Sequence, residues 1–545
     1  MQIPLLFKPQ TEWLPPTELK DLSDAKEIAI DLETCDPSLT ILGSGAITGK
    51  GFVVGIAVAV DGWSGYYPIA HEGGGNLDKR IVLDWFQDIL NTNANKIFHN
   101  AMYDVTWIKA MGLNINGRII DTMIAGSLIN ENRFSYTLDS MGKEYVGFGK
   151  NETNLKDAAR DWNIDPKKDM WRLPAMEVGT YAEKDAELTL KLWQRLQQEL
   201  TSQDLWTIFT LETDLFPCLI DMKFKGVRVD MQRASDIKEE LIKKEKLALQ
   251  DIKKQVGFDV EIWAAASCAK AFDKVKLPYD KTDKGNPSFT KNFLATHPHP
   301  LAKSITQARE LNKAHTTFID TIIRYEHRGR IHADINQIRS DQGGTVTGRF
   351  SYSNPNLQQV PARNKDLGPM IRSIFIPEEK CDWGCFDYSQ QEPRILVHYA
   401  SLDNFRSVDT IIESYKNADA DFHQAVADMA NIERKQAKTI NLGLMYGMGK
   451  NKLMAELGLQ VEAAEKLIKK YHENAPFVKQ LMDSVSRRAQ DSGRIRTIGG
   501  RVCHFDLWEP TTFGVHKSLP HAQALREYGP GIKRAFTYKA LINSR

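Results

Sequence analysis

The sequence predicts an α/β protein of several domains, and three observations carry that expectation. Its 545 residues exceed what one hydrophobic core supports, while 42% apolar content suffices for several. Residues 27–200 alternate strand-like runs (EIAIDLET, GFVVGIAVAV, NKIFHN) with helix-like ones (RIVLDWFQDIL, DAELTLKLWQRLQQEL), the texture of an α/β domain. Residues 205–330 then change to long polar-apolar periodic segments, such as DIKEELIKKEKLALQDIKKQV and LAKSITQARELNKAHTTFIDTII, broken by the turn-rich KTDKGNPS. That pattern predicts a helical arm. From about 331 strand-like character returns at HADINQIRS and CDWGCFDYS, a helical stretch is expected over about 421–492, and the last residues read as further helix.

Composition narrows the function classes. No run of about eighteen apolar residues is present, and Met1–Lys20 lacks the charged and apolar regions of a secretory signal, so a cytoplasmic setting with no membrane partner is expected. The six cysteines, Cys35, Cys218, Cys268, Cys381, Cys385 and Cys503, contain one C-x3-C pair and no second pair to complete a zinc site. They are expected to be reduced and structural. The net charge of +1 is unevenly spread: residues 421–545 hold 20 Lys and Arg against 12 Asp and Glu, and the remainder 51 against 58. A basic C-terminal region suits phosphate contacts and an acidic remainder suits metal binding, although ordinary solvated faces give the same totals.

The strand-like Glu27–Thr34 places Asp31 and Glu33 on one face by its two-residue period, so two acids can share one metal. A lone D-x-E carries little information, but two further pairs follow it. Asn100 and Asp104 in FHNAMYDVTWI, and Tyr181 and Asp185 in YAEKDAELTL, lie four apart, so in helices each pair faces one way. In this order D-x-E, N-x3-D and Y-x3-D resemble the three exonuclease motifs of the DEDD superfamily in its tyrosine branch. The resemblance implies a ribonuclease-H-like fold that shortens single-stranded 3′ ends. In it Asp31, Glu33, Asp104 and Asp185 would hold two divalent cations, Mg²⁺ or Mn²⁺, and Tyr181 would orient the attacking water. The run Gly43–Gly51 (GSGAITGKG) imitates a phosphate-binding loop, but Gly45 to Gly49 is one residue too short and Gly51 stands where Ser or Thr would ligate magnesium. A flexible hairpin or loop is expected there.

In the second half, Thr345–Pro361 (TVTGRFSYSNPNLQQVP) reads as a loop with Arg349 and Arg363 available for phosphate or base-edge contact. In CFDYSQQEPR a strand-like approach delivers Asp387 into polar residues ending in Glu392 and Arg394. Arg434, Lys438, Leu442 and Tyr446 recur at four-residue spacing, which on a helix aligns two cations and an aromatic to grip a triphosphate and abut a base. The stretches T-G-R-F-S-Y-S-N-P-N-L-Q, D-Y-S-Q-Q-E-P-R and R-x3-K-x3-L-x3-Y-G closely resemble family A DNA polymerases, the bacterial DNA polymerase I group and its phage relatives.

This resemblance implies a DNA-directed DNA polymerase with a proofreading exonuclease, using dNTPs, primer-template DNA and two Mg²⁺ or Mn²⁺ ions per active site. The expected organisation is an exonuclease over 1–204, a thumb-like region over 205–335, a first part of the palm over 336–400, fingers over 401–515 and a return to the palm from 516. By the same resemblance Asp387 ligates both catalytic metals with the Tyr388 carbonyl, and Glu392 is the steric gate against a ribose 2′-hydroxyl. Arg434 and Lys438 hold the incoming triphosphate, Lys438 also being a proton donor to pyrophosphate, and Tyr446 sits near the templating base. Arg349, with Asn356 and Gln358, contacts DNA, and His423 supports the architecture. Leu442 replaces the family's Phe or Tyr, so its sugar discrimination is not carried over.

The family's motif C, a His-Asp-Glu, has no counterpart, since the His-Glu pairs His71-Glu72 and His472-Glu473 are out of place and the match stops at Leu541. The expectation is a polymerase half interrupted before its C-terminal palm hairpin and completed by a separate fragment. Two other readings follow from that interruption: an exonuclease alone, and a non-catalytic DNA-binding subunit.

Overall fold

The computed structural model describes residues 11–339, 344–362, 364–416, 421–430, 432–445, 448–512, 514 and 516–535. Its first layer is a five-stranded sheet. β1 (Glu27–Cys35), β2 (Phe52–Val60) and β3 (Trp63–Pro68) pair antiparallel, and β4 (Asn95–Phe98) and β5 (Ile119–Asp121) continue in parallel on the other side of β1, in the order β3-β2-β1-β4-β5. The apolar run of β2 is explained by burial of every residue from Val53 to Ala59, the signature of a strand covered on both faces. Helix Ala175–Ser202 lies across β1, β2 and β3 and buries thirteen of its residues, among them Asp185.

The register of this sheet prepares one face for chemistry. Asp31 stands opposite Ala57, which stands opposite Tyr66, and Glu33 stands opposite Gly55. A methyl group at Gly55 would lie 2.1 Å from the Tyr66 hydroxyl, so only glycine lets that ring cover the strand beside Glu33. The register slips between Glu33 and Thr34, where the antiparallel ladder is interrupted just past the two acids.

Two local expectations are corrected. Gly43–Gly51 forms no hairpin: Gly43 ends one helical turn, Leu39–Leu42, and Gly45–Thr48 forms a second. There the Asp36 carboxylate accepts the Gly45 N–H at 3.0 and 3.1 Å, so an acid occupies the amide that a phosphate would need. Asn100 does not share a helical face with Asp104, because it precedes helix Ala101–Ala110 in a left-handed conformation at φ 72°.

What seats that helix is Asp121, at the end of β5. Its carboxylate accepts N–H groups from Asn100 (3.1 Å), Ala101 (2.9 Å) and Met123 (2.8 Å), capping helix Ala101–Ala110 and helix Thr122–Ile129 together. Burial dominates its titration and pushes it up to about 6 against those donors.

The predicted helical arm follows. Trp206–Lys225 buries Ile208, Phe209, Phe216 and Ile220 in the first core, which therefore runs past residue 204. Met231–Val256 and Pro300–Lys313 pack on each other in a second core, and the latter continues through a π-helical turn, Ala314–Ile319, into Asp320–Tyr325. The KTDKGNPS turn closes a short ribbon, Asp280–Lys281 with Pro287–Ser288. A third core gathers helices including Gln391–Leu402, Phe422–Ala430, Arg434–Met445, Val461–Asn474 and Pro476–Ser492.

After that core, Arg494–Arg496 and Val502–His504 form a hairpin that reaches back to the first one. Val502 joins the first core, Arg501 pairs with Glu212, and Arg496 donates to the carbonyls of Asp204 and Gln203. His504 bonds Glu131 through Nδ1 at 2.8 Å.

The strand expected at CDWGCFDYS is absent. HADINQIRS yields only Asp334–Asn336, paired with Ser351–Ser353, whereas residues 381–388 have no ladder partner among the described residues. Without exchanged backbone bonds an apolar run is not a strand, and here Phe386 is 98% and Tyr388 80% exposed. The helix expected around TYKAL lies outside the described residues, whose last element is Ile532–Arg534, paired with Leu507–Pro510.

Two outcomes follow from the packing of the first region. Asp121→Ala strands three backbone donors and should cost about 3 kcal/mol in urea unfolding of that region. His71 donates Nδ1–H to Leu173 O (2.9 Å) and accepts from Tyr66 (2.7 Å), and burial lowers it to about 4. The unfolded chain therefore takes up this proton first as pH falls below about 6.5. Stability from His71 is lost between that pH and 4, and His71→Gln should shrink the loss between pH 7 and 5 by about 2 kcal/mol.

Candidate active sites

The first site forms where β1 meets helix Ala175–Ser202. Strand periodicity turns Asp31 and Glu33 toward that helix, and carboxylate oxygens of Asp31, Glu33 and Asp185 all lie within 4.8 Å of one another. Asp104, from helix Ala101–Ala110, is buried against β1 and accepts the Leu32 N–H at 3.1 Å. It does not join the tight trio, although the charge of Asp31 acts on it.

Burial, the largest influence, and then the neighbouring acids push Glu33 well above the usual carboxylate range. Burial and then the Asp31 charge do the same to Asp104, and burial raises Asp31 and Asp185. Glu33 Oε1 is buried with no hydrogen-bond partner among the described residues. Converging oxygens, a deficit of positive charge and an orphaned buried oxygen fit a divalent cation. Among the described residues no other group of three or more His, Cys, Asp or Glu side chains converges in this way.

Tyr181 lies one helical turn before Asp185, on the same face as its four-residue spacing predicts, and Lys150, a residue that the sequence did not single out, bridges the Tyr181 hydroxyl to the Asp185 carboxylate. Lys150 places its ammonium on Asp185 Oδ2 and 3.0 Å from the Tyr181 hydroxyl, 5.1 Å from the ring centroid. One lysine in a loop among 71 basic residues carries no periodic signal, and only the fold brings it here. His99, half-buried nearby, is held neutral: desolvation first and then Lys150 lower it to about 3.

The second site is a cleft of about 780 Å³ between the loop at Thr347–Arg349, residues 387–399 and helix Arg434–Met445. Asp387, Tyr388, Glu392, Arg434, Lys438, Leu442 and Arg349 all line it. The four-residue spacing puts Arg434, Lys438 and Leu442 on one wall. Glu392 pairs with Arg349 across the cleft at 3.0 Å, and Arg434 pairs with Asp421. His423 also lines the cleft, buried, with Nδ1 accepting from Asn441 at 3.0 Å, a supporting contact.

Asn356 and Gln358 are not part of the lining. Asn356 caps a short turn by accepting Gln358 N–H at 3.1 Å, and Gln358 Nε2 donates to Phe350 O at 3.1 Å, so both brace the loop that carries Arg349. Tyr446 and Arg363 lie outside the described residues. Asp387 has no convergent trio around it, and the described residues here do not by themselves form a two-metal site.

Among the described residues no helix is long and apolar enough to cross a membrane. Residues 231–522 match the model of DNA polymerase family A, and residues 15–201 that of a 3′-5′ exonuclease. A DNA-directed DNA polymerase of Pseudomonas phage M6 is 35% identical, over 93% of this chain and 85% of its own. DNA polymerase DpoZ of Acinetobacter phage SH-Ab 15497 is 31% identical, over 78% and 76%. The fold resembles that of the POL domain of Pol1 from M. smegmatis, with a TM-score of 0.70 at 21% identity, over 89% of this chain and 78% of that one. Neither an exonuclease alone nor a non-catalytic subunit is supported over a polymerase that carries both regions. The chain belongs to DNA polymerase family A and joins a 3′-5′ exonuclease to a DNA-directed DNA polymerase.

Proposed function

We propose that Asp31, Glu33, Asp104 and Asp185 hold the two divalent ions, Mg²⁺ or Mn²⁺, of a proofreading exonuclease acting on single-stranded 3′ ends. The observation that carries this reading is the convergence of three carboxylates within 4.8 Å beside an unsatisfied Glu33 oxygen. Bound there, the ions supply a nucleophile and neutralise charge on the scissile phosphate. The chain's own groups do the rest. Tyr181 offers its hydroxyl next to Asp185 to orient the attacking water, and Asp121 keeps the helix of Asp104 in place.

In the second cleft, whose wall carries Arg434 and Lys438, these two cations hold the phosphates of an incoming dNTP, and Lys438 gives a proton to the departing pyrophosphate. Asp387 and the Tyr388 carbonyl serve the reacting end, and Glu392 excludes a 2′-hydroxyl. Arg349, on the loop braced by Asn356 and Gln358, contacts primer-template DNA. The solved neighbour was captured with DNA primer-template and dNTP, which supports these partners. The division into exonuclease (1–204), thumb (205–335), palm (336–400), fingers (401–515) and a return to the palm from 516 goes with this reading. A cytoplasmic setting follows, since template and dNTPs meet there. The exposed segment 381–388, without a ladder partner among the described residues, favours a complementing segment that adds a strand beside Asp387.

A 5′-labelled primer on a template, with Mg²⁺, tests the exonuclease half, and equilibrium dNTP binding tests the cleft. Primer shortening should fall by about a thousandfold or more in Asp31→Ala, Glu33→Ala, and shortening that persists would sink the metal assignment. In the cleft, Lys438→Ala should weaken equilibrium dNTP binding by about tenfold. Unchanged affinity there would remove Lys438 from the triphosphate site.

A further inference from the structure

Lys150 supplies a positive charge to the exonuclease site from within the chain. Its backbone is anchored on the outside, because its N–H donates to Asp139 Oδ1 at 3.0 Å and Lys143 holds the other Asp139 oxygen at 2.6 Å. Its side chain runs inward from that anchor and remains 22% exposed, whereas Asp185 is 2% exposed. The ammonium spends one donor on Asp185 Oδ2 and one on the Tyr181 hydroxyl, and it feels Asp31 and Glu33 as well.

Two consequences follow from elementary electrostatics. Several buried acids a few ångströms apart repel one another unless a cation stands among them, and Lys150 is that cation in the protein alone. A divalent ion also needs its carboxylate oxygen at about 2.1 Å, and an ammonium on that same oxygen both occupies the approach and repels the newcomer. The two uses of Asp185 Oδ2 exclude each other. The anchored backbone and the partial exposure of the side chain let the ammonium withdraw without moving the loop.

We propose that Lys150 is a resident counter-cation of the exonuclease site, which holds Asp185 in the metal-free protein and must yield it before a divalent ion can bind, so that Lys150 sets the metal affinity. The inference rests on the assignment of Asp31, Glu33 and Asp185 as metal ligands. Withdrawal of the ammonium also frees the Tyr181 hydroxyl, so loading of the site and release of its tyrosine become one event.

The test is Mn²⁺ binding to the full chain by calorimetric titration, counting only binding that disappears in Asp31→Ala, Glu33→Ala. Lys150→Met keeps the length and removes the charge, and should bind Mn²⁺ at this site roughly tenfold more tightly than the unaltered chain. Lys150→Gln serves as a second neutral variant if the first misfolds, and Lys150→Arg, which keeps the charge, should stay nearer the unaltered chain than either. Equal or weaker binding in the folded neutral variants, with the site-specific signal present in the unaltered chain, overturns the proposal. Absence of any Asp31- and Glu33-dependent binding in the unaltered chain overturns the ligand assignment and the proposal with it.

Discussion

The exonuclease half is organised around one electrostatic constraint: several carboxylates must be held close together inside a protein without driving one another apart. At about 4 Å two like charges repel by roughly 4 kcal/mol in a partly shielded interior. The fold meets this by spreading the four acids over three elements. Asp31 and Glu33 come from a central strand, Asp185 from a helix laid over it and Asp104 from a helix held by Asp121, so no single segment bears the repulsion. Small residues opposite the acids, Ala57 and Gly55, let Tyr66 cover the strand, and Lys150 enters from a loop with the opposing charge.

Much of this was legible because it depends on period. A two-residue repeat placed Asp31 and Glu33 together, and a four-residue repeat did the same for Tyr181 with Asp185 and for Arg434 with Lys438 and Leu442. What depends on contacts between distant segments was not legible. Lys150 and Asp121 are single residues without a repeat, and nothing local announces that one reaches into a carboxylate cluster or that the other caps two helices.

The misreadings have the same physical origin. Asn100 was placed on a helical face because sequence spacing does not reveal where a helix begins, and the backbone turns left-handed one residue before it. CDWGCFDYS has strand composition, but a strand is a property of a pair, and no described neighbour supplies the ladder. The glycine-rich run after β1 reads as a hairpin or loop, yet it coils into a helical turn, Gly45–Thr48, where Asp36 takes the Gly45 amide.

The hairpin Arg494–His504 has a consequence in time. Its partners on the first core, Glu131 and Glu212, precede it by 373 and 289 residues. On a ribosome adding roughly 5–20 residues per second, the exonuclease region would wait on the order of half a minute for the side chains that pair with those two acids. Contacts of such sequence separation close slowly. The part of the chain that removes errors is therefore synthesised first but receives its final clamp from the part that copies, and the order of translation becomes the order of assembly.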